Sequence, residues 1–244
     1  EVSHYIAGST ARYVNKGEDM KYINGSYILW SDLKTVVLIT GLHKASLNVK
    51  TGAMSQTWIL KKSKPPSWAT KGAGCEGCEA EDFCYIRWDQ APLSVYKAYK
   101  RGRYRKFDID SIDSMLLSKV PMRVGSAGEP TEMPAHHWQP LLQAAGRWTG
   151  YTHKWRVKKN LPYRTFCMAS VHTVDDMKKA NGLGFRTYRV GPEPITKDEV
   201  MCPHYTHGVT CDNCGLCMGS AVKAKNIYAP AHGARKNKAK EIKV

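Results

Sequence analysis

The residues of this chain whose types and spacing could do chemistry are its cysteines. Cys202-Pro203-His204 is followed, after a short loop, by Cys211-Asp212-Asn213-Cys214-Gly215-Leu216-Cys217. Thiolates two residues apart on a tight turn converge on one metal centre. Three of them plus a remote Cys-Pro are a common way to hold a cubane iron–sulfur cluster. Zinc competes, but it favours two C-x2-C pairs or Cys/His mixtures arranged as a tetrahedron. A third C-x2-C step crowds a tetrahedral ion and suits a cluster, whose irons are spread apart. The expectation is an iron–sulfur centre, [4Fe-4S] ahead of Zn, on Cys202, Cys211, Cys214 and Cys217. Gly215 is consistent with close approach of backbone to inorganic sulfide.

A second group, Cys75, Cys78 and Cys84, has C-x2-C-x5-C spacing. Three thiolates leave one iron of a cubane open to a small ligand. Enzymes that cleave S-adenosylmethionine to make radicals use three cysteines, an open iron and a partial or full barrel. Their commonest spacing, C-x3-C-x2-C, is absent here, and no clearly glycine-rich strand end offers itself to the methionine carboxylate and ribose. A radical or redox enzyme is therefore the second reading, behind an iron–sulfur protein whose cluster is structural or redox-active. A zinc site completed by histidine, and a shared site in which Cys84 joins the C-terminal group, stay open. Cys167, inside Phe166-Cys167-Met168-Ala169, reads as a buried core thiol.

The elements that must position these residues follow from periodicity and turn signals. Strand patterns run over Tyr22 to Trp30, Thr35 to Thr40 and Thr51 to Leu60, with Asn24-Gly25 as a turn. A Lys/Pro/Gly loop then leads into Cys75. Leu93 to Lys106 reads as a basic helix broken near Gly102, and Ile109 to Ser118 as another helix. From Val120 onward, strands alternate with helical or polar connections. Strands are expected at 120–125, 149–153, 165–172, 184–190, 200–202 and 226–229, and helices at 134–145 and 174–181, with Thr173 as a cap. Alternation of this kind implies parallel strands with crossovers. The expected fold is α/β, a partial or complete (β/α) barrel over 61–233. N-terminal strands (1–60) cap it, a cysteine-rich loop lies near its C-terminus, and a basic tail occupies 234–244. In such folds sites collect at the carboxyl ends of parallel strands, so Glu129, His153, His172, Arg189 and Cys202 are expected to share one face, the first four as catalytic candidates.

Lys and Arg outnumber Asp and Glu by 37 to 21, a net charge of +16, which favours polyanionic partners and nucleic acid first. Lys97, Lys100, Arg101, Arg103, Arg105 and Lys106 form one cluster with tyrosines interleaved, and Arg235 to Lys243 a second. There is no P-loop, nucleophile elbow or HExxH. No apolar run approaches the roughly 20 residues of a membrane span. Glu1-Val2-Ser3-His4 opens polar with no signal-peptide pattern, and its lack of an initiator methionine suggests a trimmed chain. Eight cysteines then read as reduced ligands of an intracellular protein, not as disulfides.

The run Arg123-Val124-Gly125-Ser126-Ala127-Gly128-Glu129-Pro130, followed by Thr149-Gly150-Tyr151-Thr152-His153-Lys154-Trp155-Arg156, resembles the phage gene product 88 family. The resemblance extends to Cys84-Tyr85, Cys202-Pro203, Cys211, Cys214-Gly215-Leu216-Cys217, and covers roughly residues 75–220. It implies a viral origin and a barrel-like fold with cysteine clusters; without a signal peptide or membrane span, the expected location is the host cytoplasm. The resemblance implies no particular activity.

Overall fold

The structure is a computed structural model, and it describes residues 22–44, 46–111, 113–231 and 236–238. The expected lead-in over 1–20 and most of the basic tail lie outside these residues. The sheet begins with an antiparallel ladder of β1 (Tyr27–Ser31), β2 (Thr35–Thr40) and β4 (Gly52–Lys61), with the short β3 (Ser46–Asn48) paired to the start of β4. From β4 the sheet is parallel, through β6 (Met122–Ala127), β7 (Trp148–Thr152), β8 (Met168–Val171), β9 (Thr187–Val190), β11 (Asn226–Ala229) and β10 (Glu199–Met201). At the other edge β5 (Arg105–Lys106) pairs in parallel with β1.

β10 and β5 end the path and are not paired with each other among the described residues, so the sheet is open and the expected complete barrel is not observed. The N-terminal strands also differ from the expected cap. β4 bonds β2 on one side and β6 on the other, so β1 and β2 extend the sheet. The expected boundary near residue 60 separates no cores: Val37, Ile39 and Ile59 share one cluster with Met122, Val124 and Trp138.

Both faces are covered, by different means. α3 (Ala135–Ala145) buries Trp138, Leu141, Leu142 and Ala145, a one-sided helical stripe, and ends at Gly146 with φ 68°. α4 (Val174–Gly182) starts at Thr173, whose hydroxyl accepts the Asp176 N–H at 3.1 Å; Asp175 and Asp176 sit where the helix dipole favours acid. These helices cover the face that carries Val37, Ile39 and Val124, and farther along Ala169 and Val171. On the other face α1 (Ala91–Lys100) lays Val95, Tyr96 and Ala98 against Val36, Leu38, Trp58 and Leu60. Burying a branched side chain is worth about 1.5–3 kcal/mol, so alternate residues of β2 and β4 fix the register on both faces. α1 stops at Arg101, before Gly102 at φ 67°, and Arg105–Lys106 is strand, so the basic run is not one helix. The short α2 (Asp113–Leu117) packs against α3. No helix among the described residues is long and apolar enough to cross a membrane.

Candidate metal and ligand site

The parallel strands end on one side, and the loop that carries Cys75, Cys78 and Cys84 lies there, beside Glu129, His153 and His172. The loop after β4 is tied down by two backbone bonds. The Ala73 N–H donates to Ile59 O at 3.0 Å, and the Glu129 N–H, just past β6, donates to Ala73 O at 2.9 Å. This places Cys75 beside Cys78 and Cys84, each within electrostatic reach of Cys75, with the Glu129 carboxylate next to them. Burial pushes the Cys75 thiol far above its ordinary range and that of Cys78 up to about 11. Such thiols stay protonated unless a cation replaces the proton.

Cys75, Cys78, Cys84, Glu129, His153 and His172 line one cavity of about 260 Å3. Glu129 is 4% exposed. Its carboxylate accepts from the Thr152 hydroxyl at 2.6 Å, the His153 N–H at 3.1 Å and the Thr131 N–H at 3.4 Å. Burial pushes its pKa up, against the pull of these bonds and of Lys154. The His153 and His172 rings stack at 6.1 Å and 16°. Burial, then the neighbouring His172 and Arg156, depress His153 to about 4, so it is neutral near pH 7. Burial also lowers His172, although Glu79 and Asp176 oppose it. His153 Nδ1 and His172 Nε2 are both buried without a hydrogen-bond partner, two acceptors or donors left over for a ligand.

The strand end after β6 also supplies the glycines that the sequence pattern concealed. Gly125 and Gly128 line the cavity with φ of 69° and 92°. A Cβ on Gly128 would stand 2.1 Å from Ile59 O, so only glycine lets β6 close on β4 there. Sequence pattern conceals this strand end, because Gly125 lies inside β6 and Gly128 just past it, with no glycine-rich run between them.

The second cysteine group reaches from the β10 edge to the start of β4. Cys202 follows β10 and begins the short α5 (Pro203–His207), its N–H bonded to Tyr228 O at 2.8 Å. Cys211 and Cys214 bound the single turn α6, capped by Gly215 at φ 69°. That turn is clamped to the β3–β4 connection: Cys211 N–H donates to Lys50 O at 3.1 Å, Asp212 N–H to Thr51 O at 3.0 Å, and Ala53 N–H to the Asp212 carboxylate at 2.9 Å. Cys202, Cys211 and Cys214 all stand within electrostatic reach of Cys217, which burial raises to about 12 and to which the Tyr151 hydroxyl is hydrogen-bonded. The four line a narrow cleft of about 20 Å3 that shares Lys50, Tyr151, Tyr188 and Cys211 with the large cavity.

Cys84 therefore stands with Cys75 and Cys78, not with the C-terminal group. None of the eight cysteines is joined in a disulfide, and Cys167 is fully buried. Among the described residues no group of three or more His, Cys, Asp or Glu side chains stands ready to hold a single metal ion.

Arg189 departs from the expected face. β8 and β9 pair Val171 with Arg189, and Val171 points into the core under α4. Arg189 is 1% exposed and binds Glu199 through two bonds of 2.9 Å, which makes it a structural ion pair. Tyr188, one residue earlier, faces the cavity instead. The basic residues Lys97, Lys100, Arg101, Arg105 and Lys106 are exposed, Arg103 is half-buried, and none lines the cavity. Nothing in the local sequence distinguishes Lys50 or Tyr188, and Arg123 stands out only as part of the 123–130 motif. Their signal was strand parity: Arg123 and Thr149 are paired, with Tyr151 and His153 following at every second residue. Compared with protein-family models, curated proteins and solved structures, the chain matches none.

Proposed function

We propose that this chain is an iron–sulfur enzyme with an open-iron cluster on Cys75, Cys78 and Cys84, set in an open, partial (β/α) barrel. The observation that carries the reading is the meeting of three thiols, a buried carboxylate and two neutral histidines on one cavity at the strand ends. When bound, a [4Fe-4S] cluster would supply one-electron chemistry, and S-adenosylmethionine is the small ligand that this three-cysteine arrangement suggests. The chain's own residues bind and orient. Glu129, held by Thr152 and the His153 and Thr131 backbone, presents a fixed acceptor. Gly125 and Gly128 admit a ligand close to the backbone, and Phe83 and Tyr85 give the wall apolar surface. The cavity of about 260 Å3 lies near the small end of the ~300–1,000 Å3 usual for ligand sites.

Cys202, Cys211, Cys214 and Cys217 would hold a second centre, iron–sulfur by their spacing, with zinc the competitor. A lone zinc ion needs four donors within about 2.3 Å, whereas a cubane spreads its thiolates over several irons; the C-x2-C-x2-C spacing favours the latter. The phage resemblance adds action inside the host cell to this reading. The exposure of Lys97, Lys100, Arg101, Arg105 and Lys106 favours a nucleic-acid contact as well, away from the cavity.

Metal and sulfide analysis with electron paramagnetic resonance on anaerobic protein tests the proposal. Two cubanes predict about eight irons per chain, and Cys78→Ala and Cys214→Ala should each remove about half, with distinct spectra lost. Colourless protein with stoichiometric zinc would sink the iron reading. An iron content that C78A leaves unchanged would sink the open-iron site.

A further inference from the structure

Two half-buried cations on the cavity wall have no carboxylate beside them, whereas Lys236 on the same wall is exposed. Lys71 is paired with Glu81 and Lys154 with Glu132, but Arg123 and Lys50 have no carboxylate within ion-pair distance among the described residues. Arg123 spends one guanidinium N–H on the Tyr85 hydroxyl, whose ring it also approaches at 5.6 Å. Lys50 donates to the hydroxyls of Tyr188 at 3.4 Å and Tyr205 at 3.3 Å and lies 4.8 Å from the Tyr205 ring centre. Both face the stretch of wall between the two cysteine groups, near Cys211. Leaving two half-buried charges unpaired is expensive, and a guanidinium with several N–H groups unspent is built for a planar or tetrahedral oxyanion.

We propose that Arg123 and Lys50 form an oxyanion subsite that takes the carboxylate or phosphate of a small ligand entering the cavity. Phenols frame it: Tyr85 and Tyr188 already bond the two cations, and Tyr151, edge-on to Tyr188 at 4.8 Å, narrows the space between them. The Tyr151 hydroxyl is already bonded to Cys217, so what the phenols offer is their rings, a face for an apolar ligand body. The subsite lines the same cavity as Glu129, which stands past the other end of β6, so one anionic ligand can reach from it toward the strand ends.

The inference stands apart from the iron–sulfur reading and is tested by melting-temperature titrations of the protein as purified anaerobically. Sodium phosphate and sodium malonate are separate arms, with ionic strength held constant by chloride so that general screening cancels. The expected result is a saturable rise in melting temperature with one or both anions. Arg123→Gln and Lys50→Met should each weaken the apparent affinity roughly tenfold or more, while Lys71→Met, whose lysine is already paired, leaves it in place. The stronger arm identifies the oxyanion class. A wild type that responds to neither anion overturns the proposal, as does a response that survives both R123Q and K50M. Circular dichroism establishes folding, and if R123Q does not fold, K50M decides. Iron content read on the same samples separates the two ideas, since cluster loss with a retained anion response strikes only the iron–sulfur reading.

Discussion

His153 shows how burial converts a common side chain into a specialised one. Its pKa falls to about 4, chiefly through burial, with the neighbouring His172 and Arg156 adding repulsion. In the unfolded chain it would protonate near pH 6.5. Between these values the unfolded state binds the extra proton, so His153 costs stability as pH falls from about 6.5 to about 4. His153→Gln should flatten that slope by on the order of 1 kcal/mol per pH unit, discounted somewhat because the ring is only partly covered. Denaturant unfolding of both proteins across this range measures it; parallel curves would show that another group carries the pH dependence. Sequence marked His153 by its place at a strand end but not its neutrality, which depends chiefly on burial, with His172 arriving from the end of another strand. Arg189 and Arg123 make the same point. Both lie on inner strands, yet one is sealed against Glu199 and the other faces the cavity. Only the pairing partner across the ladder tells them apart.

At the scale of elements, the junction of β4, β6 and the first cysteine loop is the part with least slack. Gly128 must approach Ile59 closely, and the same Ile59 carbonyl accepts the Ala73 N–H that anchors the loop to Cys75. Gly128→Ala should cost more than about 2 kcal/mol and lower iron bound at Cys75, Cys78 and Cys84. Gly146→Ala meets nothing within 4 Å at a similar backbone angle and should cost only about 1 kcal/mol. Equal losses in the two variants, by chemical denaturation, would mean that backbone conformation and not contact governs both. α3 and α4 were legible in the sequence because their stripe, cap and terminating residues are local. β5 was not: two residues become a strand only through β1, far away in sequence. Closure was equally hidden, because it depends on whether β10 and β5 meet, which no local pattern encodes.

Across the whole molecule, charge and chemistry are separated. The net charge of +16 concentrates in part at α1 and β5, by one edge of the sheet, while the thiols occupy the strand ends and the opposite edge. Lys97 and Lys100 extend from the exposed side of α1, whose other side is fixed on Trp58 and Leu60, so they can be changed without disturbing the core. Arg105 is less independent, since it bonds the Tyr27 hydroxyl at 3.1 Å and stacks on that ring. If this edge carries a nucleic-acid contact, affinity should fall steeply as salt rises, with a slope near −0.9 per phosphate engaged on duplex DNA. Replacing Lys97, Lys100 and Arg101 together by glutamate should weaken binding at low salt and reduce the slope by roughly one unit per lost contact. Iron content and the phosphate response should not change, because these three side chains are exposed and none lines the cavity. Fluorescence anisotropy with a labelled oligonucleotide, at several salt concentrations, reads affinity and slope together. Binding that is flat with salt in the parent protein, or that survives the triple glutamate change with its slope intact, would remove nucleic acid as this edge's partner.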